Sequence, residues 1–344
     1  MKRGANRTPE WVELPDEELL DLRLCDLGLR IEGTPLEERL QALHQEFERA
    51  GFRHFRPYAW LSWDWFTPDG VTGFSIPFYL AHPRLVRLER RQMFHVEGGT
   101  RESCMKLLRH EAGHAVDNAW RLHRRRSWRE TFGPWSTPYL SHYAPRPRSR
   151  DFVLNLDYWY AQSHPAEDWA ETFAVWLRPG SRWRRAYAGW PALHKLEYVD
   201  GLMREIREAK PPVRTRERPD SLPRLRITLR EFYRSKQRHY AEEGHRIHDR
   251  YLRRVFSEPG GQRRGETAAA FLRRNRQDLR RRIARLSGQH PYVVDQALHA
   301  MITRCRQLGL RRTGSRQDAL IGSAILLTLV TRSFLSGSSP WYRR

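Results

Sequence analysis

Two histidines stand four positions apart in the stretch His110-Glu111-Ala112-Gly113-His114. On a helix, residues at this spacing lie on one face, so both imidazoles can bind one zinc ion at about 2.0 to 2.1 Å. Glu111 lies beside them at a neighbouring angle, from which its carboxylate reaches a water on the metal more easily than the metal itself. The spacing therefore predicts one zinc ion held by His110 and His114, with Glu111 as the general base.

A catalytic zinc generally has three protein ligands and one open position, so a third ligand must come from elsewhere in the chain. In the metzincin pattern, a glycine lies three residues after the second histidine and the third ligand lies six residues after that histidine. In this chain Asp117 and Trp120 occupy these two positions, so the pattern does not fit. The stretch SHPAEDWAETFA, residues 163–174, instead places Glu167 and Glu171 on one face of a second helix. We expect Glu167 to be the third ligand and Glu171 to accept a hydrogen bond from the distal nitrogen of a ligand histidine.

Asp117 has two interpretations that the sequence leaves open. It follows His114 by three residues and lies one turn further along the helix, where it could orient a ligand histidine or a neighbouring loop. A structural capping role accounts for it equally well. Three further histidines have no helical spacing to the HEAGH pair, and we expect none of them to bind the metal: His123, His142 and His164.

The HEAGH stretch is predicted to lie on a long helix that Thr100 caps, and Gly113 suits close approach by another element. The second helix is predicted to begin at the Ser-His-Pro of residues 163–165 and to end at the Pro-Gly of residues 179–180. Residues 123–162, between the two helices, are rich in arginine, proline and aromatic side chains. They are predicted to be mostly loops.

A helix and a small sheet are predicted before the HEAGH helix. Residues 34–51 have a helical apolar stripe, with Thr34 as the cap, a proline in the first turn and Gly51 as the end. Residues 58–96 change to short β-like runs. The strictest alternation of apolar and other residues passes through Phe74, Ile76, Phe78 and Leu80.

The chain is predicted to divide into two parts. A further helix over residues 191–209 is followed by an arginine- and proline-rich linker that runs to about residue 223. Helical spacing then recurs in four arginine-rich stretches, 225–256, 266–286, 291–308 and 316–335. The sequence thus predicts an α+β domain over residues 1–222 and a basic, all-helical region over residues 223–344.

The formal net charge of +22 suggests contact with a polyanion, since clustered cations release the counterions of a nucleic acid or an acidic membrane. This argument is weakened by the composition, because only five of the 62 basic residues are lysines and a coding bias toward arginine would give the same charge. Binding of a polyanion by the basic C-terminal helices is therefore a secondary expectation.

The cellular compartment is predicted from the cysteines and the apolar runs. Cys25, Cys104 and Cys305 are odd in number and far apart, which indicates neither a disulfide framework nor a cysteine zinc site. The N-terminus lacks the apolar run of a secretory signal, and the longest apolar stretch, residues 319–331, is too short and interrupted to span a membrane. We expect a cytoplasmic protein without a membrane span.

HEAGH followed by EDWAETFAVWL resembles the gluzincin branch of the zincin metallopeptidases and, more narrowly, a bacterial family of zinc-binding metallopeptidases. In that family, segments like IPFYLAHPRLVRLERR, LRHEAGHAVDNAWRLHRRR and YAQSHPAEDWAETFAVWL occur together, so the resemblance covers roughly residues 10–240. It implies an α+β, zincin-like domain in which a small sheet precedes the active-site helix and the glutamate helix crosses that helix. The C-terminal third resembles no known module.

The resemblance adds two expectations. Tyr160 stands seven residues before Glu167, which is similar to gluzincins in which a tyrosine at this position contributes a hydroxyl to the catalytic site. An aromatic packing role beside Tyr158 and Trp159 stays open for it. In zincins, the strand before the active-site helix can pair with an extended substrate, and the stretch Gln92 to Glu97 would be that edge here.

Three functions are compatible with the sequence. The first is a zinc-dependent hydrolase that cleaves a peptide or amide bond, with a peptide or protein as its substrate. The second is a zinc-bearing scaffold without turnover, which would need the metal ligands but not Glu111. The third is a nucleic-acid-associated protein that binds through the basic helices of residues 225–286.

Overall fold

The chain folds into an α+β structure that is mostly helical. The computed structural model describes residues 9–139, 146, 149–241, 249–257, 265–312 and 314–332. Within these residues the strands are β1 (Tyr58–Ser62) and β2 (Gly73–Pro77). The α-helices are α1 (Asp16–Leu20), α2 (Pro35–Arg49), α3 (Pro83–Met93), α4 (Arg101–Trp120), α5 (Arg126–Phe132), α6 (Pro165–Leu177), α7 (Trp183–Ala186), α8 (Ala192–Ile206), α9 (Leu229–Ala241), α10 (Asp249–Val255), α11 (Ala268–Ser287), α12 (Pro291–Gln307) and α13 (Arg316–Arg332).

Helices α2, α4 and α6 begin where the sequence predicts them, because each has a local capping side chain. The Thr34 hydroxyl accepts a hydrogen bond from the amide of Leu36 at the start of α2. Thr100 and Ser103 cap α4 reciprocally, each side chain accepting from the other residue's amide. His164 caps α6 through its ring. The three predicted helices are confirmed, and their start points are set by residues next to them in the chain.

The predicted run of short strands over residues 58–96 is only partly correct. β1 and β2 pair in parallel, with Tyr58 opposite Gly73 and Ser62 opposite Pro77. The alternation stops there, because residues 78–81 form a 3-10 turn and α3 follows. Pro77 cannot donate to a ladder, and Pro83 fits the first position of a helix. The apolar residues after β2 therefore enter the core from helical turns.

The stretch Gln92 to Glu97, expected as a substrate-binding strand, is not one. Its first two residues are the end of α3, and Phe94 ends that helix in a left-handed conformation with φ of 59°. The chain then passes through Val96 and a turn into α4. A backbone in this shape cannot offer the extended edge that β-strand addition requires. The prediction of a strand before the active-site helix is therefore wrong.

The main hydrophobic core lies between α2, α4, α6 and the two-stranded sheet. Its largest fully buried side chains include Phe47 of α2, Phe74 of β2 and Phe173 of α6. α9 belongs to this core as well, since Leu229, Phe232 and Tyr233 are buried in it. The helix that follows the predicted boundary between residues 222 and 223 thus packs with the residues before it, and the division of the chain at that boundary stays a prediction.

A second core joins α10, α11, α12 and α13. These helices and α9 correspond to the four predicted helical stretches, of which residues 242–248 and 333–335 lie outside the described residues. Tyr292 of α12 packs against the main core and stacks on Phe94 with ring centroids 6.2 Å apart. The helical region is thereby in contact with the end of α3.

Residues 123–162, predicted to be loop-rich, contain α5 and a 3-10 helix over residues 157–162 among their described residues. The indole of Trp128 is fully buried and packs near Trp169 of α6. This burial explains why a segment without clear periodicity is ordered next to α6. None of the described helices is long and apolar enough to cross a membrane.

Candidate metal centre

His110, Glu111 and His114 lie on α4, which passes through the main core. His110 is 3% exposed and Glu111 is 6% exposed, so the helix carries polar groups into an apolar environment. The neighbouring residue, Arg109, fixes the rotation of α4 through two hydrogen bonds of 2.7 Å to Glu46 on α2. This fork pairing holds the face that carries the histidines at a defined angle.

Helix α6 crosses α4 at the HEAGH stretch. His164 accepts the amide of Ala166 with its Nδ1 atom, and Pro165 occupies the first helical position, so Glu167 lies in the first turn of α6. Gly113 provides the space for the crossing, because a Cβ there would stand 3.1 Å from the Cα of Ala170. The prediction that Gly113 permits a close approach is confirmed.

The crossing brings three ligand atoms together from the two helices. The Nε2 atoms of His110 and His114 are 3.2 Å apart, and Oε2 of Glu167 lies 3.1 Å from the first and 3.3 Å from the second. A tetrahedral zinc with bonds of about 2.0 to 2.1 Å holds its ligand atoms about 3.3 Å apart. These three residues, called the metal trio below, therefore fit a zinc ion in both chemistry and spacing.

The ring of His110 is held from behind by Glu171. Its Nδ1 atom donates a hydrogen bond of 2.8 Å to Oε1 of Glu171, which turns the Nε2 atom toward His114 and Glu167. Glu171 is 1% exposed and accepts two further bonds of 2.8 Å, from the Asn155 side chain and the Leu156 amide. The carboxylate that orients the histidine is thus itself fixed by the chain before α6.

Glu111 lies beside the trio on the same helix, and its Oε2 atom accepts a hydrogen bond of 2.8 Å from the Thr67 hydroxyl. Thr67 belongs to the turn between β1 and β2, where its hydroxyl also lies 3.2 Å from the backbone oxygen of Glu111. Burial raises the pKa of Glu111, against the two imidazoles and the threonine, which favour its charged form. This carboxyl is better suited to take up a proton than an exposed glutamate.

Burial and the neighbouring charges have opposing effects on the pKa values of the ligand residues. Burial lowers the pKa of His110, but hydrogen bonds to the carboxylates of Glu167 and Glu171 outweigh it and raise that pKa well above its ordinary value. Burial raises the pKa of Glu167, but His114 and His110 outweigh it and hold that pKa well below its ordinary value. Glu167 is therefore a carboxylate at neutral pH, which is the form that binds a cation.

Two tyrosines reach the centre. The ring of Tyr160, the residue expected from the resemblance, lies 5.7 Å from the ring of His110. Tyr139, which the sequence analysis did not identify, donates a hydrogen bond of 2.8 Å to Oε1 of Glu167, the oxygen that faces away from the trio. Its ring stacks on His164 at 3.6 Å. Tyr139 therefore orients the carboxylate from the loop before α6.

Asp117 contacts the loop after α4. Its carboxylate accepts the amide of His123 at 2.8 Å and the Nδ1 atom of the same residue at 2.6 Å. Of the two interpretations, these contacts match orientation of a neighbouring loop. His164 is the cap of α6 and donates from Nε2 to the carbonyl of Thr137. His142 lies outside the described residues.

Three contributors to the site were not predicted from the sequence: Thr67, Tyr139 and Asn155. Thr67 is 44 positions from Glu111, and Tyr139 is 28 positions from Glu167. Both lie in turns or loops, whose side-chain directions have no sequence period. A threonine next to the Pro-Asp-Gly turn is the one local hint, since that turn brings the chain back toward the sheet.

The comparisons with known proteins concern the same part of the chain. Residues 90–188 match the model of a protein family described as "Putative zinc-binding metallo-peptidase". No curated protein and no solved structure matches the chain. The matched segment contains the metal trio together with Glu111, Glu171 and both tyrosines. The segment that carries the candidate metal centre is therefore similar to this family of zinc-binding metallopeptidases.

Proposed function

We propose that this protein is a zinc-dependent peptidase of the gluzincin type. The observation that carries the proposal is the convergence of the metal trio within 3.3 Å, from two helices, beside the buried carboxylate of Glu111. Two histidines from HEAGH and a glutamate from a second helix form the ligand set, and three protein ligands are the number that a catalytic zinc generally has.

The metal trio would bind the zinc ion, and Glu111 would transfer the proton. When bound, a zinc ion would supply a Lewis acid that acidifies water and polarises a carbonyl oxygen. Glu111 is the group that takes a proton from the attacking water and returns it to the leaving amine. Thr67 keeps that carboxylate in one orientation. Tyr160, beside His110, supplies a hydroxyl for the negative charge that develops on the carbonyl oxygen.

A scaffold that only carries zinc accounts less well for Glu111. Burying a carboxylate costs free energy unless it is paired, and among the described residues its side chain has one short hydrogen bond, from Thr67. A site without turnover would not require an acid at this position. The buried Glu111 beside the trio therefore favours catalysis over the scaffold.

Nucleic-acid binding through the helical region receives less support. Several of its arginines are paired with acids of the same chain: Arg230 with Asp21, Arg276 and Arg280 with Asp295, and Arg304 with Asp249. Paired arginines release fewer counterions from a phosphate chain than unpaired ones. For the same reason, the high formal charge overstates the positive field that a polyanion would meet.

A cytoplasmic location belongs to this proposal. All three cysteines are free, and Cys104 and Cys305 are buried. Burial raises the pKa of the Cys305 thiol to about 12, so this thiol is an apolar core group and not a reactive one. Free buried thiols suit a reducing compartment.

The test is metal analysis of the purified full-length protein, combined with digestion of a peptide library. The proposal predicts one zinc per chain, cleavage that a chelator abolishes, and recovery of cleavage when zinc is added back. Glu111→Gln should keep the zinc and lose cleavage by a factor of about 10² or more, because only the proton transfer is removed. His114→Ala should lose both.

His54→Ala is the matched control, since this histidine is exposed and far from the trio in sequence. It should bind zinc and cleave as the wild type does. A wild-type protein that carries zinc and cleaves no peptide would support the scaffold. A wild-type protein that binds zinc no better than His114→Ala would remove the basis of the proposal altogether.

A further inference from the structure

A basic cleft opens between the end of α3, the start of α4 and helix α11. Its volume is about 790 Å³, within the range of ligand-binding pockets. Its positive charge comes from Arg90, Lys106, Arg280, Arg281 and Arg285, whereas Asp157 is the one carboxylate among the residues that line it. Helix α11 supplies three of the five cations and lies outside the segment that matches the metallopeptidase family.

The basic cleft adjoins the metal trio. Lys106 precedes His110 by one helical turn, so the two side chains leave α4 on the same face. Asn155 and Leu156, which hold Glu171 against His110, line the cleft as well. The cleft thus borders residues that support the trio.

The cations differ in how far they are already neutralised. Arg280 is paired with Asp295 at 2.9 Å, and Arg281 is paired with Asp278 at 3.0 Å. Within the described part of the chain, no ion pair is found for Arg90, Lys106 or Arg285. Arg90 on α3 and Arg285 on α11 both line the cleft and are exposed. These three charges are available to an anionic ligand.

We propose that the basic cleft binds an acidic segment of the peptide substrate, so that the helical C-terminal region determines the specificity of the peptidase. The proposal rests on the proposed function. One helical turn separates neighbouring side chains by about 5 to 6 Å, and an extended peptide advances about 3.3 Å per residue. The preferred Asp or Glu therefore lies about two residues from the scissile bond.

An acidic peptide suits this cleft better than a nucleic acid does. Leu154, Leu156 and Trp159 give one wall an apolar surface, and Asp157 adds a negative charge that would repel a continuous run of phosphates. A peptide carries its charges on separate side chains, which can meet the cations while the apolar wall contacts its other residues. Nucleic-acid binding at this site becomes an outcome of the test.

The test measures binding by the full-length, zinc-loaded Glu111→Gln variant, so that the probe is not consumed. The probes are a short fluorescent peptide rich in glutamate, the same peptide with glutamine in place of glutamate, and a single-stranded oligothymidylate. The acidic peptide should bind about tenfold more tightly than its glutamine counterpart, and added salt should reduce this difference. Arg285→Gln and Arg90→Gln, each added to this variant, should weaken its binding about three- to tenfold.

Arg273→Gln is the matched control, because Arg273 is an exposed arginine on the same helix α11 but does not line the cleft. It should leave peptide binding unchanged. Equal binding of the two peptides, or equal loss in Arg273→Gln and Arg285→Gln, would overturn the proposal. The same conclusion follows if the oligothymidylate binds more tightly than the acidic peptide and depends on Arg285, since the cleft would then bind nucleic acid.

Cleavage by the wild-type enzyme separates this proposal from the proposed function. If the acidic peptide binds with the expected arginine dependence and no peptide is cut, the peptidase assignment fails and the cleft assignment stands. If peptides are cut with no preference for acidic residues near the scissile bond, the peptidase assignment stands and the cleft assignment fails. With both correct, Arg285→Gln raises KM for acidic peptides and leaves kcat nearly unchanged.

Discussion

Gly113 and Ala170 are in contact where α4 and α6 cross, and a Cβ at position 113 would lie 3.1 Å from the Cα of Ala170. The indole of Trp169 also donates a hydrogen bond of 2.9 Å to the carbonyl oxygen of Gly113. This contact sets the distance at which Glu167 meets the two histidines. A residue without a side chain in the middle of the HEAGH motif therefore permits the close crossing that assembles the site.

Gly113→Ala should weaken zinc binding and lower the free energy of unfolding by about 1 to 3 kcal/mol, because the backbone of α6 must move away. Zinc affinity can be measured by competition with a chelating dye, and stability by urea titration. Gly201→Ala is the control, since Gly201 lies on α8 with nothing near its missing Cβ. That change should be neutral or mildly stabilising. Unchanged zinc affinity in Gly113→Ala would show that the crossing tolerates a wider separation.

Glu171→Gln should reduce zinc affinity by about 10- to 100-fold, because a neutral amide holds the Nδ1–H of His110 less strongly. Asp117→Asn is the comparison, since it changes an equally buried carboxylate that pairs with His123. It should lower stability and leave zinc affinity nearly unchanged. Dye competition measures both variants, and equal losses of affinity would argue against a specific role of Glu171.

Substitution of Tyr160 and of Tyr139 should affect two different properties of the enzyme, catalysis and zinc binding. Tyr160→Phe should lower kcat by about 10²-fold and retain zinc, if its hydroxyl stabilises the developing oxyanion. Tyr139→Phe should instead weaken zinc binding, because it removes a hydrogen bond to Glu167. Steady-state kinetics and zinc titration of both variants test this division. Full activity in Tyr160→Phe would leave Tyr160 as a packing residue beside His110.

Glu46→Ala should destabilise the fold by about 3 to 5 kcal/mol, because it leaves the guanidinium of Arg109 buried without its partner. Replacing both residues, as Glu46→Leu with Arg109→Met, should cost less than the single change. Glu130→Ala removes an exposed partner of Arg126 and should cost less than about 1 kcal/mol. Urea titration gives these values, and a small loss in Glu46→Ala would show that the pair does not anchor α4.

The pH dependence of stability should depend on Asp64, which lies just after β1. Burial raises its pKa to about 8, although the nearby ammonium of Lys236 favours the charged form. In the unfolded chain the pKa is about 3.9, so the folded protein holds the proton more tightly. The contribution of Asp64 to stability is therefore full below about pH 4 and is lost as the pH rises toward 8.

The isosteric Asp64→Asn variant has no such proton to lose. Its stability relative to the wild type should increase between about pH 5 and pH 8 by up to about 1.4 kcal/mol per pH unit. Thermal melts at several pH values measure the difference, with Asp69→Asn as the exposed control for loss of a charge. A constant difference between Asp64→Asn and the wild type across this range would contradict the assignment.

The local features of the site were determined by the sequence. Residues four apart on a helix share a face, so the HEAGH spacing was enough to pair His110 with His114, and the caps Thr100 and His164 set where their helices begin. Glu167 and Glu171 were recognisable for the same reason. Each of these inferences depends on interactions within about one helical turn, which the order of residues alone specifies.

The tertiary structure decided which distant residues meet. No local pattern indicates that Thr67 holds Glu111, or that arginines of α11 line the same cleft as Lys106. Burial of apolar side chains is non-directional, so it draws the elements together without specifying their neighbours. The contacts between elements follow from how these side chains fill space, which one-dimensional periodicity does not contain.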